Sequence, residues 1–369
     1  MIREEINEIK KQFNKDTNVI TKYAGCYVDA EKNIKFMTKD GFYSLPEEDA
    51  FKYEEIFRKT LSGAVGKSLL TLDFSIDDEG EDNPHAFLMK LRESRLDDEL
   101  ILDEFFRKVI DAYEYAENYY IILVDMMYDI PGKSSDKLAM EDASNEVYHG
   151  LLCSICPVTL SKPALSYFAN EGVIANRIRD WIVGMPMHGF LFPAFTDRTT
   201  DIHAALYFSK KNDALNESFI NEIIGVNPPM SSVMQKETFE AILYDVLRDE
   251  LTMPVMSALS SNMLDLIAEN SQNPEPLVLT KNDMVKLISK SGVSDEAVES
   301  YEKSADADIE VLADNVVDTR KFEVKTPGIT VKTDTDSIEK LETRVIDGRK
   351  YLLVPIEDDV EVNGMPVKA

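Results

Sequence analysis

The run TDRTTDIH brings Asp197, Arg198, Asp201 and His203 into seven residues, between the apolar stretches LFPAF and AALYF. A carboxylate beside an imidazole is the raw material of acid–base catalysis, and an arginine can clamp an anion. Arg177, Arg179 and Asp180 stand one apolar stretch earlier and come near this turn if the intervening strands form a meander. The same residue types also make a plain structural turn, because Asp and Thr satisfy backbone groups locally. A catalytic reading therefore requires Asp201, His203 and an arginine to share one pocket.

Other patterns are incomplete. Gly66-Lys67-Ser68 and Gly132-Lys133-Ser134 invite a phosphate loop, which needs a glycine with four residues between it and the Gly-Lys pair. Leu61 and Met127 occupy those positions, so both fail. His149, Cys153 and Cys156 have soft-ligand spacing, but they lie in the apolar run VYHGLLCSICPVTL. On a strand, Cys153 and Cys156 point to opposite faces and cannot chelate one ion. His85, His188 and His203 form no zinc-binding pattern. No metal and no cofactor are expected.

Charge is unevenly spread. The 369 residues carry 40 basic and 68 acidic side chains, a net of −28, with 44% hydrophobic residues, a composition that folds. Residues 76–318 hold −26 of that charge, while the two ends are close to neutral and contain 21 of the 40 basic residues. Basic and aromatic residues interleave at these ends: Lys22, Tyr23, Tyr27, Lys35 and Phe36, then Arg320, Lys321, Phe322 and Lys325. Such mixtures bind nucleic acid by phosphate contacts and stacking, and they equally form half-exposed strands.

These residues need elements to position them. Ile2, Ile6, Ile9 and Phe13 recur at helical spacing. Two strand-like runs follow, 19–29 and 33–45, then a helix behind Pro46 and a strand at 65–74. DDEGED at 77–82 reads as a solvated loop. Helices near 84–95 and 99–117 precede the strongest strand, YYIILVDMMYDI at 119–130, and another at 146–159. A meander is expected over 178–208, since short connections imply antiparallel pairing. Helices near 214–224, 234–250, 254–270 and 280–289 come next. After an acidic segment at 294–310 the chain returns to strands, with Asp347-Gly348 as a hairpin signal. The order predicts an α+β fold with mainly antiparallel sheets and an interposed helical block. Its expected parts are an α+β domain over 1–212, a helical block over 213–272, and a helix-plus-strand domain over 273–369.

The start MIREEINEIKK has no apolar h-region, the longest uncharged runs, Val147 to Ser161 and Trp181 to Thr196, fall short of the roughly 20 residues of a membrane span, and three cysteines argue against a disulfide framework. A cytoplasmic location without a membrane partner is expected.

Several runs together, among them CPVTLSKPALSYF, NRIRDWIVGMPMHGFLFPAFTDRTTDIHAALYFSK, TRKFEVKTPGITV and IDGRKYLLVPI, resemble an uncharacterised family of bacterial proteins from Gram-positive anaerobes, known as a domain of unknown function. The resemblance spans essentially the whole chain, is most specific over residues 176–210, and supplies no catalytic residues. In layout alone, residues 328–367 resemble the C-terminal part of acidic nucleoid-associated and antiphage-defence DNA-binding proteins, which implies that an acidic chain can still associate with DNA.

Three functions are compatible with these features. The first is a non-enzymatic binding or assembly protein, self-associating as a homo-oligomer through apolar strands with unpaired edges. The second is nucleic-acid association, for which Arg177, Arg179, Arg320, Lys321 and Lys325 are the anion-binding candidates. The third is an enzyme built on Asp197, Arg198, Asp201 and His203. No small-molecule ligand is specified.

Overall fold

Helix α1 (Arg3–Lys11) buries Ile6 and Ile9, with Glu4 and Glu5 at its positive end and Lys10 and Lys11 at its negative end. Strands β1 (Ile20–Val28) and β2 (Ile34–Gly41) form the expected hairpin. Helix α2 (Glu47–Thr60) starts behind Pro46 with three acids in its first turn. After β3 (Leu69–Asp73) come α3 (Pro84–Glu93) and α4 (Glu99–Ala112), whose free amides are capped by the Asn83 and Asp98 side chains. Then follow β4 (Tyr119–Ile130), the small ladder of β5 (Gly132–Lys133) with β6 (Ala139–Met140), and β7 (Glu146–Leu160). Beyond lie the hairpin β8 (Leu165–Phe168)–β9 (Val173–Asn176), β10 (Trp181–Val183) and β11 (His188–Phe192). The hairpin β12 (Ala194–Thr196)–β13 (Thr199–Asp201), β14 (Ala204–Ser209) and α5 (Glu217–Phe219), which runs into a π turn at Ile220–Ile224, complete the unit Met1–Ser231.

One large sheet orders this unit as β2-β1-β4-β7-β11-β14-β3, with β10 also pairing β7. Every neighbouring pair is antiparallel. Helices cover both faces, which explains why β4 is apolar without alternation. Its even positions Ile122, Val124 and Met126 meet α1 and α2. Its odd positions Ile121 and Leu123 meet α3, α4 and the 219–224 turn.

The computed structural model describes residues 1–17, 19–75, 83–133, 139–140, 146–211, 213, 215–304, 309–356, 360–362 and 365–367. DDEGED, expected as a solvated loop, lies outside them. Among the described residues no helix is long and apolar enough to cross a membrane.

The second unit, Ser232–Ala369, contains α6 (Ser232–Leu247), α7 (Met253–Glu269), β15 (Val278–Leu279), α8 (Lys281–Lys290), α9 (Asp295–Lys303), β16 (Val311–Leu312) and α10 (Ala313–Val316). Phe239, Leu243, Leu259, Met263, Leu287, Ile288 and Tyr301 build its core. Three hairpins follow: β17 (Lys321–Thr326)–β18 (Ile329–Asp334), β19 (Glu342–Ile346)–β20 (Arg349–Leu353) and β21 (Val360–Val362)–β22 (Met365–Val367). Asp347 and Gly348 turn the second of these at positive φ, as a two-residue hairpin requires. The fold is α+β with mainly antiparallel sheets, and the helical block stands between them in chain order.

Three local expectations change. The meander does not link β10 to β11. Both pair with β7, at Val158–Leu160 and Leu151–Ile155, so they form one interrupted strand. The break at Gly184–Met187 contains Pro186, which has no amide to donate. The segment at 217–224 packs Phe219, Ile220 and Ile223 into the sheet core. The acidic segment after 294 contains helix α9, capped by Ser294 and buried through Ala297 and Tyr301 one turn apart.

Candidate functional site

The polar turn at 197–203 docks helix α1. Thr196 pairs with Thr199, leaving Asp197 and Arg198 as a two-residue loop with both φ positive, at 52° and 59°. Arg198 is a poor residue for that conformation, since a Cβ there crowds the backbone. Its guanidinium is anchored: Nε lies 3.0 and 3.1 Å and Nη2 2.8 Å from the Glu8 carboxylate, and Nη2 donates to the Pro131 carbonyl at 3.1 Å. The Asp197 amide donates to Glu5 at 2.6 Å, and Tyr128 donates to Glu8 at 3.0 Å. Burial, then the Glu8 carboxylate, push the Tyr128 phenol up to about 12, so it remains a donor.

Asp201 and His203 stay beside each other, but through the backbone: the His203 amide donates to the Asp201 carboxylate at 3.0 Å. The His203 ring is exposed. Arg198 points toward α1. Its replacement by Ala removes a bidentate pair and is expected to cost about 1–3 kcal/mol in urea unfolding. Arg198→Gly removes the same pair yet relieves the backbone, so it should cost about 1 kcal/mol less than the alanine change. Equal losses would show that the backbone there is unstrained.

The basic candidates fall in both units. Arg179 donates from Nε to the Ser161 carbonyl at 2.8 Å, and the Arg177 amide donates to the Ala164 carbonyl at 2.8 Å. In the second unit, the Arg320 and Lys321 amides share the Asp318 carboxylate. Lys325 and Lys332 both pair with Glu323, at 3.3 and 3.6 Å. Cys153 and Cys156 face opposite cores, as strand alternation requires, and burial pushes both thiols up.

Sequence reasoning missed a second polar cluster. Asp125, 0% exposed in the middle of β4, accepts from His149 Nε2 at 2.6 Å and from the Thr21 hydroxyl. Arg92 of α3 donates to the His149 carbonyl at 2.7 Å. Main-chain register brings Met127 opposite His149, which sets the imidazole beside Asp125 on the same face. The available signal was the single acid within YYIILVDMM, because a carboxylate buried on a central strand needs donors.

Around and beyond the end of β7 the chain forms an exposed apolar arm. In β8–β9, Tyr167 is paired opposite Ile174, and both are about 70% exposed, as is Leu165. Trp181, Ile182 and Val183 of β10 are also exposed, Trp181 at 54%. Free surfaces of this kind are rarely so apolar without a partner.

Fold and site together define a two-unit α+β protein whose turn and strand clusters are engaged in packing and whose apolar arm is open. The chain belongs to the family described as "Domain of unknown function (DUF4317)", whose model matches residues 1–365. No curated protein matches it.

Proposed function

We propose that this chain is a non-enzymatic binding and assembly protein that pairs with a second copy of itself through the arm of β8, β9 and β10. The exposed apolar surface at Leu165, Tyr167, Ile174 and Trp181 carries this reading. Strand β10 pairs with β7 along one edge, and among the described residues no strand pairs with the other. Across a two-fold axis an antiparallel edge is self-complementary: with Ile182 opposite its own copy, Trp181 meets Val183. Electrostatics favour the same place. Residues 161–187 hold three basic and two acidic side chains, whereas the whole chain holds 40 and 68. Two copies of so acidic a protein meet with least repulsion where the local charge is small.

Sedimentation velocity of the full chain at high micromolar concentration tests this. The wild type should sediment as a dimer, and the double variant Ile174→Asp/Trp181→Asp as a monomer with an unchanged far-UV circular dichroism spectrum, because both side chains are exposed. A wild type that stays monomeric, or a dimer indifferent to both substitutions, would overturn the proposal.

A further inference from the structure

A groove of about 620 Å³ lies between the turn after α1, the tight turn at Phe42–Ser44 and the first half of α2. This is the size of pocket that encloses a small organic molecule. Phe42, Tyr43, Leu45 and Phe51 give it an apolar wall with three aromatic rings. Glu54 also lines it and is only 6% exposed. A carboxylate withdrawn from water to this extent is costly unless a cation or donor reaches it. Its ion-pair partner is Arg58 at 3.6 Å, beyond good hydrogen-bond range, and that guanidinium already donates to the Phe13 carbonyl and lies over the Phe51 ring.

We propose that this groove binds an organic ammonium with a compact apolar or aromatic body, its cationic head on Glu54 and its body against Phe42, Tyr43 and Phe51. Aromatic faces and a carboxylate both favour a cation over a neutral group of the same shape. The rim adds Glu47 and Glu48 at the start of α2, and the net charge of −28 concentrates cations near the surface. Two lysines also line the groove. Lys52 is paired with Glu55 at 3.1 Å, and Lys15 follows the end of α1. An anionic ligand there would face the buried Glu54 carboxylate. Burial already holds the Glu54 carboxyl above its ordinary value, with Arg58 opposing and Asp16 adding to that shift. The site is independent of the arm.

Calorimetric titration of the full chain with 2-phenylethylammonium, the neutral 2-phenylethanol and the anionic 3-phenylpropanoate tests the assignment. The amine should bind about tenfold more tightly than the alcohol, the fold-change one charge-assisted contact supplies, and the anion more weakly than either. Glu54→Gln should abolish the preference for amine over alcohol. If that variant fails to fold, Tyr43→Ala at the wall should weaken amine and alcohol together by several-fold. No binding of the amine, equal binding of amine and alcohol, tightest binding of the anion, or a Glu54→Gln protein that keeps its amine preference would overturn the proposal.

Discussion

His149→Ala is expected to destabilise the first unit by about 1–3 kcal/mol, the range for leaving a buried acceptor without its donor. Asp125 has no access to water, and loss of the imidazole leaves its carboxylate with the Thr21 hydroxyl as its remaining side-chain donor among the described contacts. The cost comes from the buried acceptor left without its donor more than from the lost bond. Adding Asp125→Asn should therefore recover part of the loss, and the double variant should be more stable than His149→Ala alone. Urea unfolding of the two single variants and the double variant reads the coupling directly. Strictly additive losses would mean that water reaches Asp125 once the ring is gone. On a total stability of the usual order, about 5–15 kcal/mol, the single change removes a large share.

Gly189→Ala is expected to cost about 3 kcal/mol by overpacking. Its new Cβ would stand 2.3 Å from the Cys153 carbonyl oxygen and 2.7 Å from the Thr60 methyl. One obstacle is the backbone of the neighbouring strand, so no side-chain rotation relieves it. Gly189 sits where α2 approaches the sheet, and Thr60 of that helix bonds the Ser154 hydroxyl at 2.6 Å across the same gap. The added methyl pushes helix and sheet apart and strains that contact. Gly41→Ala is the matched control: nothing lies within 4 Å of its Cβ, so the midpoint of urea unfolding should barely move. Similar shifts for the two glycines would mean that β11 tolerates displacement from α2.

Local features of the fold were largely legible. Strand β4 coincides with the apolar run YYIILVDMMYDI, Asp347-Gly348 turns a hairpin, and Thr280 caps α8 through a reciprocal contact with Asp283. Each depends on preferences within a few residues. The site was less legible. The turn at 197–203 was visible as a cluster, yet its meaning lies in Glu8, 190 residues from Arg198. The Asp125–His149 pair was invisible as a pair because its two signals, an acid in one apolar run and a histidine in another, become one only through the register of β4 on β7.

What the sequence determined by itself, then, is the α+β class, the hairpins at residues 19–45 and around Asp347-Gly348, most of the helices and the placing of two cysteines on opposite faces, because backbone geometry and side-chain alternation act over one or two turns of chain. Tertiary structure alone decided that β10 and β11 share β7, that the 217–224 segment joins the sheet core, and that Glu54 is sunk beside an aromatic groove. These outcomes depend on sheet order and on covering both faces of the sheet with helices. That is a condition on the whole unit, since each buried polar group must find its partner in an element far away along the chain.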